Sequence, residues 1–229
     1  MIESPSSSVK QRVAYAAAEL VQSGMVVGLG TGSTAFYFIQ RLIERAAEGL
    51  NILTVATSQR SAEQAHEGGL KVLDVNEVKS IDLTVDGADE IDPQNRMIKG
   101  GGGALLREKI IASSSKKMVV IVDSSKCVEV LGAFGLPVEI VPFGYKQTIR
   151  AMKAKGYKGN LRQQNDGDLY HTDNGNYLID LQFPDLCHDA EKTHQNLISI
   201  PGVVETGFFF NLVSQVYIGH EDGRIEIRT

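Results

Sequence analysis

The sequence predicts an α/β protein: a parallel sheet covered by helices on both faces, plus a smaller α+β domain. Three observations predict it. Short apolar runs alternate with amphipathic stretches through the first half of the chain, and a glycine-rich loop joins the first run to the helix after it. From about Leu131 the texture changes to extended segments separated by the turn-rich "DGD" and "DNGN".

Taken in order, VAYAAAELVQSG places Val13, Ala17, Leu20 and Val21 on one helical face and stops at Gly24. MVVGL reads as the first strand, GTGST as a loop, and AFYFIQRLIERAAEG as an amphipathic helix bearing Phe36, Ile39, Ile43 and Ala47. The pattern repeats: ILTVAT as strand, a helix near SAEQAHEG, LKVLDV and IDLTVDG as strands, ALLREKIIA as helix and KMVVIVD as strand. In such sheets ligands bind beyond the carboxyl ends of the strands, so the loops after Leu29, Ala56, Val85 and Val122 are where chemistry is expected. Further on, LPVEIVPFG is extended and YKQTIRAMKAKG helical, and three segments follow around LRQQND, DLYHTD and GNYLIDLQF. Asp173, Asn174 and Gly175 predict a tight hairpin, with DLCHDAEKTHQNLIS as a helix across that sheet. GVVETGFFFN, VSQVYIGH and RIEIRT either close the smaller module or return to the first sheet.

Composition narrows the partners. With 229 residues, 42% of them hydrophobic, the chain can bury a substantial core. Net charge is -5 and the 23 Lys and Arg residues are scattered, so no footprint for nucleic acid or an anionic membrane is expected, and a small molecule is the expected partner. Cys127 and Cys187 are far apart, which fits reduced thiols in a cytoplasm. MIESPSSSVK lacks an apolar signal core, and no run approaches the roughly 18 apolar residues that span a bilayer.

"GLGTGSTA" follows a strand and opens a helix, where unpaired N–H groups and the positive end of the helix dipole attract an anion. Thr31, Ser33 and Thr34 add hydroxyl donors around Gly32, a set suited to a phosphate monoester. Ser33 stands where a dinucleotide fingerprint needs glycine, and a P-loop would need Gly-Lys, so neither motif is met. The same residues also suit a glycine turn with Ser33 or Thr34 capping the helix. "ATSQRS" is a second hydroxyl-bearing loop, with Ser58 or Ser61 able to cap.

"VDGADEIDPQNRMIKGGGGALLREK" gathers acids, a lysine and four glycines after a strand. Gly87 permits a turn placing Asp86 and Asp89 on the same side of one loop; Asp92, before Pro93, reads as a turn former and Glu90 as solvent-facing. Four glycines forfeit about 1 kcal/mol each relative to alanine in a helix, so another role is expected: N–H groups offered to a ligand oxygen, or a hinge. In the helix after them, Leu106 and Ile110 are expected on the buried side and Glu108 on another flank. Cys187, His188 and His194 match no structural zinc spacing, and Ser113 to Ser115 and Ser124 to Ser125 have no paired histidine or elbow that marks a nucleophile. A metal-free acid–base site is left.

At this point the chain resembles the type A ribose-5-phosphate isomerase family. "GLGTGSTA", "TVDGADEID", "IKGGGGALLREK", "VDSSK", "LPVEIVPFG" and "IPGVVETGFF" stand in the family's order across nearly the whole chain. The one departure in these motifs is minor, a fourth glycine where alanine or serine is expected to be tolerated. The resemblance implies interconversion of D-ribose 5-phosphate and D-ribulose 5-phosphate, in the non-oxidative branch of the pentose phosphate pathway, without metal or organic cofactor.

By the same matching, Glu108 corresponds to the proton-transferring base. Asp86 and Lys99 join it as catalytic residues, and the substrate site comprises Thr31, Gly32, Ser33, Thr34, Asp86, Gly87, Ala88, Asp89, Lys99, Gly100, Gly101, Gly102, Lys126 and Lys10, the last ahead of the first helix. Asp86 and Asp89 divide proton shuttling or ring opening and hydroxyl orientation between them, in either order. The implied architecture is a Rossmann-like catalytic domain over residues 1–130 and 205–229, a smaller domain over 131–204 that is a candidate oligomer interface, and assembly as a homodimer or homotetramer. Two other classes share such an architecture, a sugar-phosphate-sensing regulator and an acyl-transfer enzyme; the first would lack the Asp86, Lys99, Glu108 set and carry a DNA-binding helix pair.

Overall fold

Alternation of short β-branched runs with amphipathic helices builds the first half as expected. The computed structural model of the chain describes residues 5–229. It runs α1 (Pro5–Ala18), β1 (Val26–Leu29), α2 (Ser33–Ala47), β2 (Leu53–Ala56), α3 (Gln59–Glu67), β3 (Lys71–Val72) and β4 (Leu83–Asp86). A short hairpin follows, β5 (Glu90–Ile91) and β6 (Met97–Ile98), then α4 (Leu105–Ser113) and β7 (Met118–Asp123). Next come β8 (Leu136–Ile140), α5 (Tyr145–Ala154), β9 (Lys158–Leu161), β10 (Tyr177–Gln182), α6 (Ala190–Ile198), β11 (Val203–Thr206), β12 (Phe208–Phe209), β13 (Gln215–Gly219) and β14 (Ile225–Arg228). The first four residues of the serine-rich start lie outside the described ones.

The chain divides into two compact units. One comprises the residues up to Ala88 with Arg107–Cys127 and Asn211–Thr229; the other comprises Asp89–Leu106 and Val128–Phe210. These bounds differ from the 130/131 and 204/205 boundaries expected from the sequence, chiefly in that residues 89–106 belong to the second unit.

The larger unit holds a seven-stranded sheet in the order β14-β13-β7-β4-β1-β2-β3, parallel except for the β13–β14 pair. Val27 and Leu29 of β1 face a core with Val13 and Ala17 of α1 and Phe38, Ile39 and Leu42 of α2. On the opposite face Val55 packs with Ile81 and with Ile111 of α4, so helices cover both sides. Each such large side chain contributes about 2 kcal/mol by leaving water. In α2 the buried stripe is Ala35, Phe38, Ile39 and Leu42, while Phe36 is exposed. The expected face through Phe36, Ile39, Ile43 and Ala47 is thus off by about a quarter turn, with Ile39 common to both, because AFYFI offers apolar residues at nearly every position. Helix α1 ends at Ala18, well before Gly24.

The smaller unit contains an antiparallel sheet, β11-β8-β10-β9, and a three-stranded one, β12-β6-β5. Leu136, Val138 and Ile140 of β8 pack against Met152 of α5 and Leu197 of α6. The expected turn at 173–175 is present: Gly175 N–H donates to Thr172 O at 2.8 Å, and Gly175 has φ +76°. DLYHTD is not a strand; it makes only isolated bridges, Gln163 with Leu169 and His171 with Tyr177. Of the last segments, β11 and β12 stay in this unit, and β13 and β14 return to the seven-stranded sheet. Among the described residues no helix is long and apolar enough to cross a membrane.

Candidate active site

Strand order reverses between β1 and β4, the place in such sheets where ligands bind beyond the carboxyl ends of the strands. The larger unit places residues 30–34 and Asp86 at this point. Gly30 N–H donates to Val85 O at 3.0 Å, and Asp86 Oδ1 accepts the N–H groups of Thr31 at 3.0 Å and Gly87 at 2.7 Å. Asp86 is 1% exposed. A Cβ on Gly30 would lie 2.2 Å from Asp86 Oδ1, so the glycine is required by close approach.

Thr31 turns its hydroxyl inward. Its Oγ1 lies 2.6 Å from Thr57 Oγ1 and 2.8 Å from Ser58 Oγ, while Ser61 Oγ donates to Gly30 O at 2.7 Å. Ser58 caps α3 by accepting Ser61 N–H, so "ATSQRS" both caps a helix and braces the first loop. Gly32, at φ +114°, is the N-cap of α2 and brings no side-chain cap. Ser33 is therefore the first residue inside the helix, so the alternative in which Ser33 or Thr34 caps it does not hold. The amino end of a 15-residue helix is left uncapped by any side chain, with Gly32 and Ser33 exposed. Lys10 Nζ donates to Ser33 Oγ at 3.1 Å. Lys10 sits within α1, not ahead of it, because that helix starts at Pro5. An ammonium and an open helix amino terminus meet at one hydroxyl, a combination that attracts an anion.

Glu108 lies in the first turn of α4 and is 3% exposed. Leu105, Ile111 and Ala112 are buried with it, whereas Ile110 is exposed and Leu106 half-buried. The expected stripe through Leu106 and Ile110 is corrected: the buried stripe is 105, 108, 111 and 112, and the glutamate stands in a core position. A carboxyl in this stripe carries a desolvation cost that apolar packing does not require. Lys126, half-buried, closes the 3-10 turn Ser124–Lys126 after β7, the neighbour of β4 in the sheet.

The smaller unit carries Asp89, Lys99 and the glycine run. Asp92 organises the β5–β6 turn as expected, its carboxylate accepting Gln94 N–H and Arg96 N–H at 2.9 Å and Arg96 Nε at 2.6 Å. Glu90 is not solvent-facing: it is 3% exposed and accepts the N–H groups of Gly132 and Phe134, both at 2.6 Å. A two-residue strand gives no periodic signal of which way it faces, so spacing alone does not place Glu90. Lys99, 2% exposed, is held through its N–H to Gly207 O at 2.8 Å, and its ammonium lies 5.5 Å from the centroid of Phe209.

The run 100–103 is a folded turn rather than a hinge. Gly103 N–H donates to Gly100 O at 3.0 Å and Gly101 N–H to Asp89 Oδ2 at 2.7 Å. Two of the four N–H groups expected to face a ligand are therefore used within the unit. Gly100 and Gly103 have φ of +107° and +83°, which L side chains rarely adopt. Among the described residues no group of three or more His, Cys, Asp or Glu is placed to hold a metal ion.

The fold is that of an α/β protein whose strand-order reversal carries a helix end without a side-chain cap and a lysine, with Asp86 and Glu108 buried in the same unit. The model of the ribose 5-phosphate isomerase A (phosphoriboisomerase A) family matches residues 53–223. The ribose-5-phosphate isomerase A of Protochlamydia amoebophila is 48% identical over 225 residues, 98% of this chain and 97% of that protein. Among solved structures, ribose 5-phosphate isomerase A from Methanocaldococcus jannaschii is 37% identical with a TM-score of 0.90, covering 97% of this chain and 98% of that one. A D-ribose-5-phosphate isomerase in complex with phospho-erythronic acid is 36% identical with a TM-score of 0.91, covering 96% and 97%. The chain belongs to the ribose 5-phosphate isomerase A family.

Proposed function

We propose that this chain interconverts D-ribose 5-phosphate and D-ribulose 5-phosphate through an enediolate, as a step of the non-oxidative branch of the pentose phosphate pathway, with no metal or organic cofactor. The observation that carries the reading is Glu108, a buried carboxyl in the first turn of the helix after the glycine run. In the open-chain aldose its carboxylate takes the proton from C2. The C–H electron pair becomes the C1–C2 double bond and the carbonyl pair moves to O1. A proton then passes from O2 to O1, and Glu108 returns its proton to C1, leaving the carbonyl at C2. One group serves both transfers because the two carbons are adjacent. Burial supplies the partial desolvation that general-base work by a carboxyl near neutral pH asks for.

In this reading the phosphate rests on residues 31–34 and Lys10, whose anion-attracting geometry supports the assignment. Anchoring the ester holds a flexible sugar with its first two carbons in place. Asp86 moves the O1/O2 proton or helps open the ring, Asp89 orients hydroxyls, with those roles exchangeable, and Gly87 and Ala88 line the same turn. Lys99 and the remaining N–H groups of Gly100 and Gly102 stabilise the enediolate oxygens, an effect of several kcal/mol for single donors in such sites. Gly101 contributes through Asp89, and Lys126 binds the sugar or pairs with Asp86. The related isomerase bound to phospho-erythronic acid, a phosphorylated sugar acid, supports a ligand of this chemical class. A cytoplasmic location and assembly as a homodimer or homotetramer belong to the same proposal.

Incubation with ribose 5-phosphate in deuterated water tests it. Ketose formation with solvent deuterium entering the product at C1 is expected; product carrying no deuterium at the earliest times, with substrate tritium or deuterium kept quantitatively, would replace proton transfer by a hydride shift. Absence of ketose would remove the assignment altogether.

A further inference from the structure

The glycine run is gripped by a cation that the reaction chemistry above does not use. Arg162 follows β9 and donates Nη1 to two successive carbonyl oxygens, Gly100 O at 2.9 Å and Gly101 O at 3.1 Å. Its other donors are fixed on Asp180 of β10, Nε to Oδ2 at 2.9 Å and Nη2 to Oδ1 at 2.5 Å. The guanidinium is planar and its fork rigid, so binding Asp180 on one edge aims Nη1 at the run. The backbone of Arg162 is held as well, its N–H on Leu178 O at 2.8 Å and its carbonyl accepting Tyr170 N–H at 3.0 Å.

Tyr170 completes the grip. Arg162 Cζ lies 5.8 Å from its ring centroid, and a Cβ on Gly103 would fall 2.2 Å from its hydroxyl oxygen. Burial, and then the charge of Asp173, holds the Tyr170 phenol above its ordinary value, so the group over Gly103 stays neutral.

Peptide geometry turns this grip into a direction. In a planar trans peptide the carbonyl of one residue and the N–H of the next point to opposite sides. Arg162 draws the oxygens of Gly100 and Gly101 to its own side, which turns the N–H groups of Gly101 and Gly102 the other way. Gly101 N–H is then taken by Asp89 Oδ2, which fixes that carboxylate, and the N–H of the exposed Gly102 points in the same general sense.

We propose that Arg162, locked by Asp180 and Tyr170, is a positioning residue for the isomerisation, orienting the peptides that hold Asp89 and aim the Gly102 N–H at the substrate. The inference rests on the proposed function. Steady-state kinetics of the full chain with ribose 5-phosphate test it, with wild type and Glu108→Gln alongside. Arg162→Ala is expected to lower kcat about a hundredfold with KM within threefold, and inhibition by inorganic phosphate unchanged. Guanidinium at low millimolar concentration is expected to recover about a tenth of wild-type kcat in that variant. Arg162→Lys recovers none, since an ammonium lacks the fork, and Asp180→Asn, a milder change, lowers kcat about tenfold.

Wild-type kcat in Arg162→Ala or Asp180→Asn overturns the inference and leaves the functional reading standing. So does a loss that tracks the fraction folded and does not respond to guanidinium, because that is the mark of a purely structural residue. A wild-type chain that forms no ketose sinks both together.

Discussion

Two glycine-rich turns, residues 30–34 and residues 100–103, each have an N–H held by an aspartate but are otherwise braced differently. The first is braced by uncharged hydroxyls, Thr57, Ser58 and Ser61, and by Asp86 accepting Thr31 N–H, while the helix amino end beyond it is left open. The second is braced by charged side chains acting on its backbone, Arg162 on two carbonyls and Asp89 on an N–H. A glycine run therefore signals close approach and unusual dihedrals rather than mobility, and its function depends on which backbone groups the surroundings consume. In the proposed chemistry the first turn governs affinity for the phosphate and the second, with Glu108 after it, governs turnover.

The sharpest way to break that division is Glu108→Gln, which keeps shape and removes the base. Turnover is expected to fall at least a thousandfold, roughly 4 kcal/mol of barrier, with an unchanged circular dichroism spectrum; full activity would leave the base unassigned. Lys99→Ala is next. Its kcat is expected to drop about a hundredfold, roughly 2.7 kcal/mol, with phosphate inhibition little altered, and a loss confined to affinity would move Lys99 to the phosphate side of the comparison.

Gly30→Ala forces a Cβ against Asp86 and is expected to cost about 2 kcal/mol of stability, lowering Tm by roughly 4–8 °C. A Tm equal to wild type would show the first turn to be more yielding than its contacts imply. Lys10→Ala should raise KM about tenfold, near 1.4 kcal/mol, and leave kcat within twofold; a change in kcat alone would erase the division between the two turns. Ser58→Ala, which removes both a cap and a brace on Thr31, is expected to lose only about 1 kcal/mol, measured by urea denaturation, with kcat kept.

Much of the candidate site stands out in the sequence because it lies on contiguous stretches. Residues 28–35 announce themselves through a strand, glycines and a helix, and the structure places that loop where the strand order reverses. The stretch from Asp86 to Glu108 was visible as a chemical oddity, too acidic and too rich in glycine for a surface loop. Its internal arrangement was not. Glu90, expected to face solvent, instead anchors the loop at 132–134; a two-residue strand has no period from which burial can be inferred. The place of Glu108 in the buried stripe of α4 is not legible in the sequence, since LLREKII offers two apolar phases and only packing chooses between them.

The sequence by itself determined the alternation of strands and helices, the two glycine-rich turns and the family's motifs, because each is written in local spacing and intrinsic backbone preference. Tertiary structure alone decided that β13 and β14 return to the parallel sheet, that hydroxyls after β2 brace the loop after β1, and that Arg162 grips carbonyls some sixty positions earlier in the chain. Such pairings leave no periodic trace: a hydrogen bond constrains positions and directions in space, and separation along the chain carries no record of either.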